Sequence, residues 1–220
     1  MKTDITQKVL VIGATGKIGR LALTALAAEG HKVTAFGRSA DRIAPFDGLR
    51  VKKGDVTSAS DLDAAMRGHD TVILTFGAPL NRQTILHGTD VCEVGTRNVV
   101  AAMKNACVPR LIAMTSIGAG SSAGQGRWPF RNFIAPVILR NILRDRTAQE
   151  EVVIGSDLPE WAIVRPAELT DGVAQESLRE FTVFDDGPGP TVVSRASVAG
   201  YLAKLVTDKR YDGSAVLISE

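Results

Sequence analysis

Short apolar runs alternate with amphipathic stretches along most of the chain. The run at 9–12 leads into a glycine turn, and apolar residues at helical spacing follow that turn. A continuous apolar run of this length is typical of a strand that is buried on both faces, as in a parallel sheet. Further strands are predicted in the same way at 32–36, 50–53, 71–74, 110–114 and 161–164, with short ones at 181–184 and 215–218.

Helices are predicted between these strands. One begins at Ser58 or Ser60 and runs to 66, a long one covers 91–105, one covers 135–154 with a break allowed, and the last begins at Ser194 or Ser197 and ends near 206. A glycine such as Gly30 suits the position just after a helix. The stretch 118–126 is rich in Gly, Ser and Ala, which predicts a mobile or irregular loop, and 187–190 reads as a turn.

This alternation predicts an α/β fold, a Rossmann-like doubly wound parallel sheet in three layers. A (β/α)₈ barrel would need about 250 residues and more repeats, and a flavodoxin-like sheet leaves the glycine turn unexplained. We expect one domain over 1–220, with a small substrate region built mainly from 117–150 and 166–194.

Composition narrows the functional classes. The 220 residues are 45% hydrophobic and 23% charged, with a net charge of +2, so nothing calls for a nucleic-acid partner. No apolar run reaches the roughly 18 residues of a membrane span, and the first residues carry no signal-peptide core. Two cysteines and three scattered histidines match no metal motif, so no metal is expected. We expect a cytoplasmic protein that is a monomer or weak homodimer and binds a small-molecule acceptor.

The glycine turn carries the clearest chemistry. Gly13, Gly16 and Gly19 are spaced three apart between a predicted strand and a predicted helix. In that context the first glycine makes the turn, the second lets backbone amides approach a pyrophosphate, and the third lets the helix lie close to the sheet. The sequence therefore predicts a dinucleotide site that also includes Thr15, Lys17 and Ile18.

Arg38 indicates which dinucleotide binds there. It stands nineteen positions after Gly19, near the end of the second strand, where an NAD site usually has an acid for the ribose hydroxyls. A guanidinium can hold a 2′-phosphate with two hydrogen bonds, and Arg42 could add a second charge. We therefore expect NADP(H) rather than NAD(H).

Together these and later motifs resemble the atypical short-chain dehydrogenase/reductases. The nearest resemblance is to the NAD(P)H-binding group with flavin reductase/biliverdin reductase B, beside the NmrA-like proteins. The motifs that carry it, besides the glycine turn and Arg38, are Gly30-His31-Lys32-Val33-Thr34, Gly54-Asp55-Val56, Asn98-Val99-Val100-Ala101-Ala102, Thr115-Ser116, Val164-Arg165-Pro166 and Tyr211-Asp212-Gly213.

The resemblance implies roles for particular residues. Asp55 would contact the adenine, and Ser116 would sit beside the nicotinamide. Arg165 is expected to pair with a carboxylate near the sheet edge. The other cofactor contacts that the resemblance implies are Val56, Phe76, Gly77, Thr115 and Pro166.

The chain departs from the family at the proton donor. Ordinary members use a Tyr-x-x-x-Lys pair, and here those positions fall on Ile142 and Arg146. Ser116 and Arg146 are therefore the candidate catalytic residues, as donors to the acceptor or to negative charge. Glu168 stands where relatives tend to have a histidine, and could exchange a proton.

Two functions follow from these observations. The first is an NADPH-dependent oxidoreductase that transfers hydride to a small planar or conjugated acceptor such as a flavin, a quinone or a tetrapyrrole. The second is a non-catalytic NmrA-like sensor or regulator that binds NADP(H). The missing tyrosine favours the sensor, and the apolar, arginine-bearing segment after Ser116 favours the enzyme.

Overall fold

The computed structural model describes residues 6–184 and 189–220. Its strands are β1 (Lys8–Ile12), β2 (Lys32–Gly37), β3 (Leu49–Lys53), β4 (Thr71–Leu74), β5 (Arg110–Met114), β6 (Glu160–Pro166), β7 (Glu168–Thr170), β8 (Arg179–Phe181), β9 (Val192–Ser194) and β10 (Ser214–Ser219). Eight of them form one sheet in the order β3-β2-β1-β4-β5-β6-β10-β8, parallel throughout except for β8 at the edge. β7 and β9 form a separate parallel pair. The predicted doubly wound sheet is confirmed.

Helices cover both faces of the sheet. They are α1 (Lys17–Ala28), α2 (Ala59–Met66), α3 (Arg82–His87), α4 (Val91–Asn105), α5 (Arg140–Ile154) and α6 (Arg195–Lys204). Val9 and Val11 pack into one apolar core with α1 and α6, while Leu10 and Ile12 pack into a second core with α2 and α4. Successive side chains of β1 thus point to opposite, equally apolar layers, which is why its sequence is apolar throughout.

Local signals set several helix boundaries as predicted. The Ser58 side chain accepts a hydrogen bond from the Asp61 N–H and begins α2, and Ser194 does the same for α6. Gly30 follows α1 with φ +83°. None of the helices that the structure describes combines the length and apolarity needed to cross a bilayer.

The helix predicted over 135–154 is broken, as the prediction allowed, and its first part begins earlier than predicted. The structure has a π-helical segment, Phe130–Ile138, followed by α5 from Arg140. Pro136 lies inside the first segment and has no N–H to donate to the preceding turn. The Leu139 N–H instead reaches back five residues to the Ile134 carbonyl, at 2.8 Å.

Other elements were missed or shifted. The strand predicted at 181–184 lies at β8 instead, and residues 187 and 188 of the predicted turn lie outside the described residues. β7 and β9 have three residues each, too few to show alternation. α3 is a six-residue helix begun by reciprocal hydrogen bonds between Asn81 and Thr84, a cap without the usual Glu or Gln.

Candidate functional site

The glycine turn after β1 is pressed against the backbone that follows β4. Gly13 has φ +89°, and a Cβ on it would lie 2.7 Å from the Phe76 Cα. A Cβ on Gly19 would lie 2.8 Å from the Ala14 Cα. Only glycine fits at both positions, because any side chain would push the turn, the helix or β4 apart. These two glycines therefore shape the site through close packing.

The first turn of α1 is open to an anion. Its N-cap is Gly16, which offers no side-chain cap, and its first turn contains no acidic residue. The N–H groups of a helix's first turn have no partner within the helix, and the helix dipole makes this end electropositive. Such an end favours a phosphate group.

A groove of about 300 Å³ runs across the carboxyl ends of β1, β2 and β4. Eight of the predicted cofactor residues line it: Gly13, Thr15, Gly16, Arg38, Asp55, Val56, Phe76 and Gly77. Sequence reasoning gave no cofactor role to several others in this lining, among them Gly37, Gly54, Thr57, Thr75 and Val91. All of these except Val91 are next to a predicted residue in the sequence, and that adjacency is the signal that could have found them.

Arg38 lines this groove, and its side chain is exposed. Within residues 6–184 and 189–220 its guanidinium makes neither an ion pair nor a side-chain hydrogen bond, while nearby Lys53 pairs with Asp41 at 3.5 Å. A guanidinium left without a partner at the edge of a groove is available to an anionic group of a ligand.

Asp55 is held across the groove from the glycine turn. Its Oδ1 accepts hydrogen bonds from the N–H and the hydroxyl of Thr57, each at 2.9 Å. These bonds, with a smaller contribution from the positive charge of Arg38, lower the pKa of the Asp55 carboxyl. Asp55 is therefore a fixed carboxylate at neutral pH, able to accept a hydrogen bond from an amino group.

Not every predicted cofactor residue reaches the groove. Ile18 is buried in the core, and Gly19 serves the packing described above. Lys17 points away to Asp171, with Nζ 3.2 Å from its carboxylate, and Asp171 also binds Arg195 at 2.7 Å. Lys17 thus ties the cofactor helix to the segment after β7.

Arg146, which the resemblance aligns with a lysine, lies between the ends of β4 and β5. Its Nη1 donates to the carbonyl of Phe76 at 3.0 Å, the carbonyl of Met114 at 3.2 Å and the Oε1 of Gln149 at 2.7 Å. A Cβ on Gly77 would crowd its Nη2. The guanidinium therefore binds two strand ends together beside the groove, and a side chain at Gly77 would displace it from this position.

A buried ion pair stands behind the ends of β5 and β6. Arg165 donates from Nη2 to Glu150 Oε2 at 2.6 Å and from Nε to Glu150 Oε1 at 2.9 Å, with both side chains at least 95% buried. Thr115 donates its hydroxyl to the same Oε1 at 2.7 Å. The expectation that Arg165 pairs with a carboxylate is confirmed. The Thr115 hydroxyl is hydrogen-bonded to the same carboxylate.

The same ion pair anchors the loop predicted to be mobile. Arg165 Nη1 donates to the Ser121 hydroxyl at 2.8 Å, and the Gly120 N–H donates to the Thr147 hydroxyl at 3.0 Å. Ala119 and Ser122 are fully buried. The loop 118–126 is irregular, as predicted, but its first half is packed against β6 and α5.

Ser116 and Pro166 are brought together on adjacent strand ends. The Thr115 N–H donates to the Val164 carbonyl at 2.8 Å, and the Ile117 N–H donates to the Pro166 carbonyl at 2.9 Å. Ser116 therefore lies between these two bonds, partly exposed, on an extension of β5 beside β6. Glu168, two residues past Pro166, has a buried Oε1 with no hydrogen-bond partner among the described residues.

Both tyrosines are engaged away from these strand ends. Tyr201 and Tyr211 donate their hydroxyls to the two carboxylate oxygens of Glu180, at 2.8 and 2.7 Å, on edge strand β8. Burial, then the bond to Glu180, raises the pKa of Tyr201 far above its ordinary value. Neither phenol stands in for the family's tyrosine.

Solved structures share this architecture. The anaerobilin reductase ChuY from Escherichia coli O157:H7 is 27% identical, with a TM-score of 0.78 and 97% of each chain covered. A short-chain dehydrogenase/reductase from Veillonella parvula in complex with NADP superposes with a TM-score of 0.79 over 98% of this chain and 95% of its own, and at 16% identity it shows the fold alone.

Sequence relatives match the chain in part. Sterol demethylase protein B from Methylococcus capsulatus is 34% identical over 123 residues, which are 53% of this chain and 37% of that protein. The chain spans 31% to 44% of the length of the curated relatives that it matches. The model of a family described as NAD(P)H-binding matches residues 13–209. With its glycine turn, open groove and doubly wound sheet, the chain belongs to this NAD(P)H-binding family.

Proposed function

We propose that the protein is an NADPH-dependent reductase that transfers hydride to a small planar, conjugated acceptor. The observation that carries the proposal is the groove lined by the unpaired Arg38, with an uncapped helix N-terminus beside it. The polar groups fit NADP(H): helix amides donate to the pyrophosphate, the guanidinium donates to the 2′-phosphate, and the Asp55 carboxylate accepts from the adenine amine.

The ends of β5 and β6 form the acceptor side of the proposed site. Bound NADPH would supply the hydride there. The chain's own contribution is to orient the acceptor, through the partly exposed Ser116 hydroxyl as a hydrogen-bond donor. Arg146 holds the strand ends at the correct spacing and adds positive charge beside the groove.

A bilin is the acceptor class that we place first. The support is the similarity to ChuY, which extends over nearly the whole of both chains. The name of ChuY, anaerobilin reductase, gives its acceptor as a bilin, which is a linear tetrapyrrole. Flavins and quinones are the other planar acceptors to be compared.

NADPH absorbance tests the proposal directly. Purified protein is mixed with NADPH and with FMN, menadione or biliverdin in turn, and we expect oxidation that is fastest with the bilin. Ser116→Ala should lower kcat about tenfold through loss of one oriented hydrogen bond. Exposed Ser60→Ala is the matched control and should leave the rate unchanged.

The alternative is an NmrA-like sensor that binds NADP(H) without turnover. The observation in its favour is the absence of either tyrosine from the strand ends, since both are bonded to Glu180. Tight NADPH binding without oxidation by any of the three acceptors would replace the reductase with the sensor.

A further inference from the structure

The π-helical segment leaves large apolar side chains uncovered. Trp128, Phe133, Val137 and Ile138 are 61%, 57%, 71% and 44% exposed. Because the segment is bonded from i to i+5, residues about five apart share one side of it. The rings of Trp128 and Phe133 meet edge to face, with centroids 5.4 Å apart. We call these four exposed side chains the apolar strip, since their spacing places them along one side of the segment.

Exposed arginines flank this strip. Residues 94–144 contain no Asp or Glu. Within the described residues, none of the flanking guanidinium groups makes an ion pair or a side-chain hydrogen bond. The four exposed arginines are Arg127, Arg131, Arg140 and Arg144. We call the apolar strip and these arginines together the basic apolar surface.

The basic apolar surface is held in a fixed orientation. Phe130 points inward and is 7% exposed, packed beside Gly118 and Gly126, where a Cβ would lie 3.6 and 2.9 Å from its ring. At the other end, the Asn141 side chain donates to the Ile85 carbonyl at 2.9 Å and ties the start of α5 to α3. The strip therefore faces solvent because its opposite side is anchored.

We propose that the basic apolar surface binds the headgroup region of an anionic phospholipid membrane. Tryptophan favours that region because its ring is apolar and its N–H polar, and arginines beside it can bind lipid phosphates. A second copy of the chain fits less well, because two such surfaces would bring arginine against arginine. The inference does not rest on hydride transfer, since it uses no residue of the cofactor groove, but it assigns part of the predicted substrate region 117–150 to a membrane rather than to the acceptor.

Vesicle co-sedimentation of the full chain, saturated with NADPH, tests this proposal. We expect binding to phosphatidylglycerol vesicles, little binding to phosphatidylcholine vesicles, and a loss of about tenfold or more when salt rises from 0.1 to 0.5 M. The double variants Trp128→Ser/Phe133→Ser and Arg131→Glu/Arg140→Glu should each weaken binding at least about tenfold.

Matched variants separate the surface from general effects. Leu21→Ser/Ile154→Ser removes exposed apolar side chains elsewhere, and Arg50→Glu/Arg67→Glu makes the same charge change elsewhere, so both should bind vesicles like the parent. Retained NADPH binding shows that a variant is folded. No binding to anionic vesicles, equal loss in test and control variants, or a dimer that Trp128→Ser/Phe133→Ser dissociates would each overturn the proposal.

Discussion

The two halves of the site are held together in different ways. At the groove, Gly13 and Gly19 shape the site by close backbone packing, and they lie within one short stretch of sequence. At the ends of β5 and β6, Glu150 joins Arg165, 15 residues away, to Thr115, 35 residues away. The groove depends on the absence of side chains, and the acceptor side depends on one side chain that holds several others.

This difference predicts different responses to mutation. Loss of a buried charge in the acceptor side should reach every segment that it anchors. An added methyl group in the groove should instead act where the backbones touch.

Glu150→Gln should be the most destabilising change. It leaves the Arg165 guanidinium buried without a carboxylate, which typically costs about 3 to 5 kcal/mol. The free energy of unfolding is measured by urea titration. Exposed Glu151→Gln, the next residue on α5, is the control. A loss below about 1 kcal/mol, equal to that of the control, would show that the pair does not hold the acceptor side.

Gly13→Ala should come next. The added Cβ meets the Phe76 backbone at a φ of +89°, so crowding and strain together should cost about 2 to 4 kcal/mol and abolish measurable NADPH binding. Gly30→Ala has nearly the same φ, +83°, but open space around its Cβ. It should cost only about 1 kcal/mol and leave binding intact. Equal effects of the two substitutions would contradict close packing at the turn.

A fall in pH should lower the free energy of unfolding modestly, through protonation of His69. Burial lowers the pKa of its imidazole, whose Nε2 lies 2.8 Å from the Thr34 hydroxyl. The unfolded chain therefore binds a proton at His69 more readily than the folded chain does. As a result, the free energy of unfolding has its full value above about pH 6.5 and decreases as the pH falls below that value.

The pH dependence of His69→Gln measures this contribution. Urea titrations at pH 7.5 and 5.5 should show a smaller difference in the variant than in the parent. The variant should keep part of the pH dependence, because burial also lowers the pKa of His31. A difference that His69→Gln leaves unchanged would contradict the assignment.

Sequence reasoning found the parts of the molecule that local pattern determines. Continuous apolar runs predicted the parallel strands, and the glycine spacing predicted the turn whose residues line the groove. Arg38 was predicted from its position alone, since its charge follows the second strand. These features depend on neighbours in sequence, so one stretch of chain carries the whole signal.

The other features of the fold and the site depend on tertiary contacts that no local sequence pattern predicts. The bonds of Arg146 to two strand-end carbonyls and the partner of Thr115 follow from tertiary packing. Pro136 accounts for the break before α5. Its presence in the sequence indicated that a break was possible, but it did not indicate that the segment before the break is π-helical. The order in the loop 118–126 comes from Ser121 and Thr147, which a composition rich in Gly and Ser conceals.

The central claim is that this groove binds NADP(H) and that Arg38 binds the 2′-phosphate. Dissociation constants for NADPH and NADH, measured by fluorescence titration of the parent, Arg38→Asp and the exposed control Arg50→Asp, test it most directly. We expect Arg38→Asp to weaken NADPH binding about 10- to 100-fold, because hydrogen bonds between charged groups are lost. NADH binding should weaken less than about twofold. Arg50→Asp should change neither. Equal losses for both nucleotides in Arg38→Asp would contradict the claim.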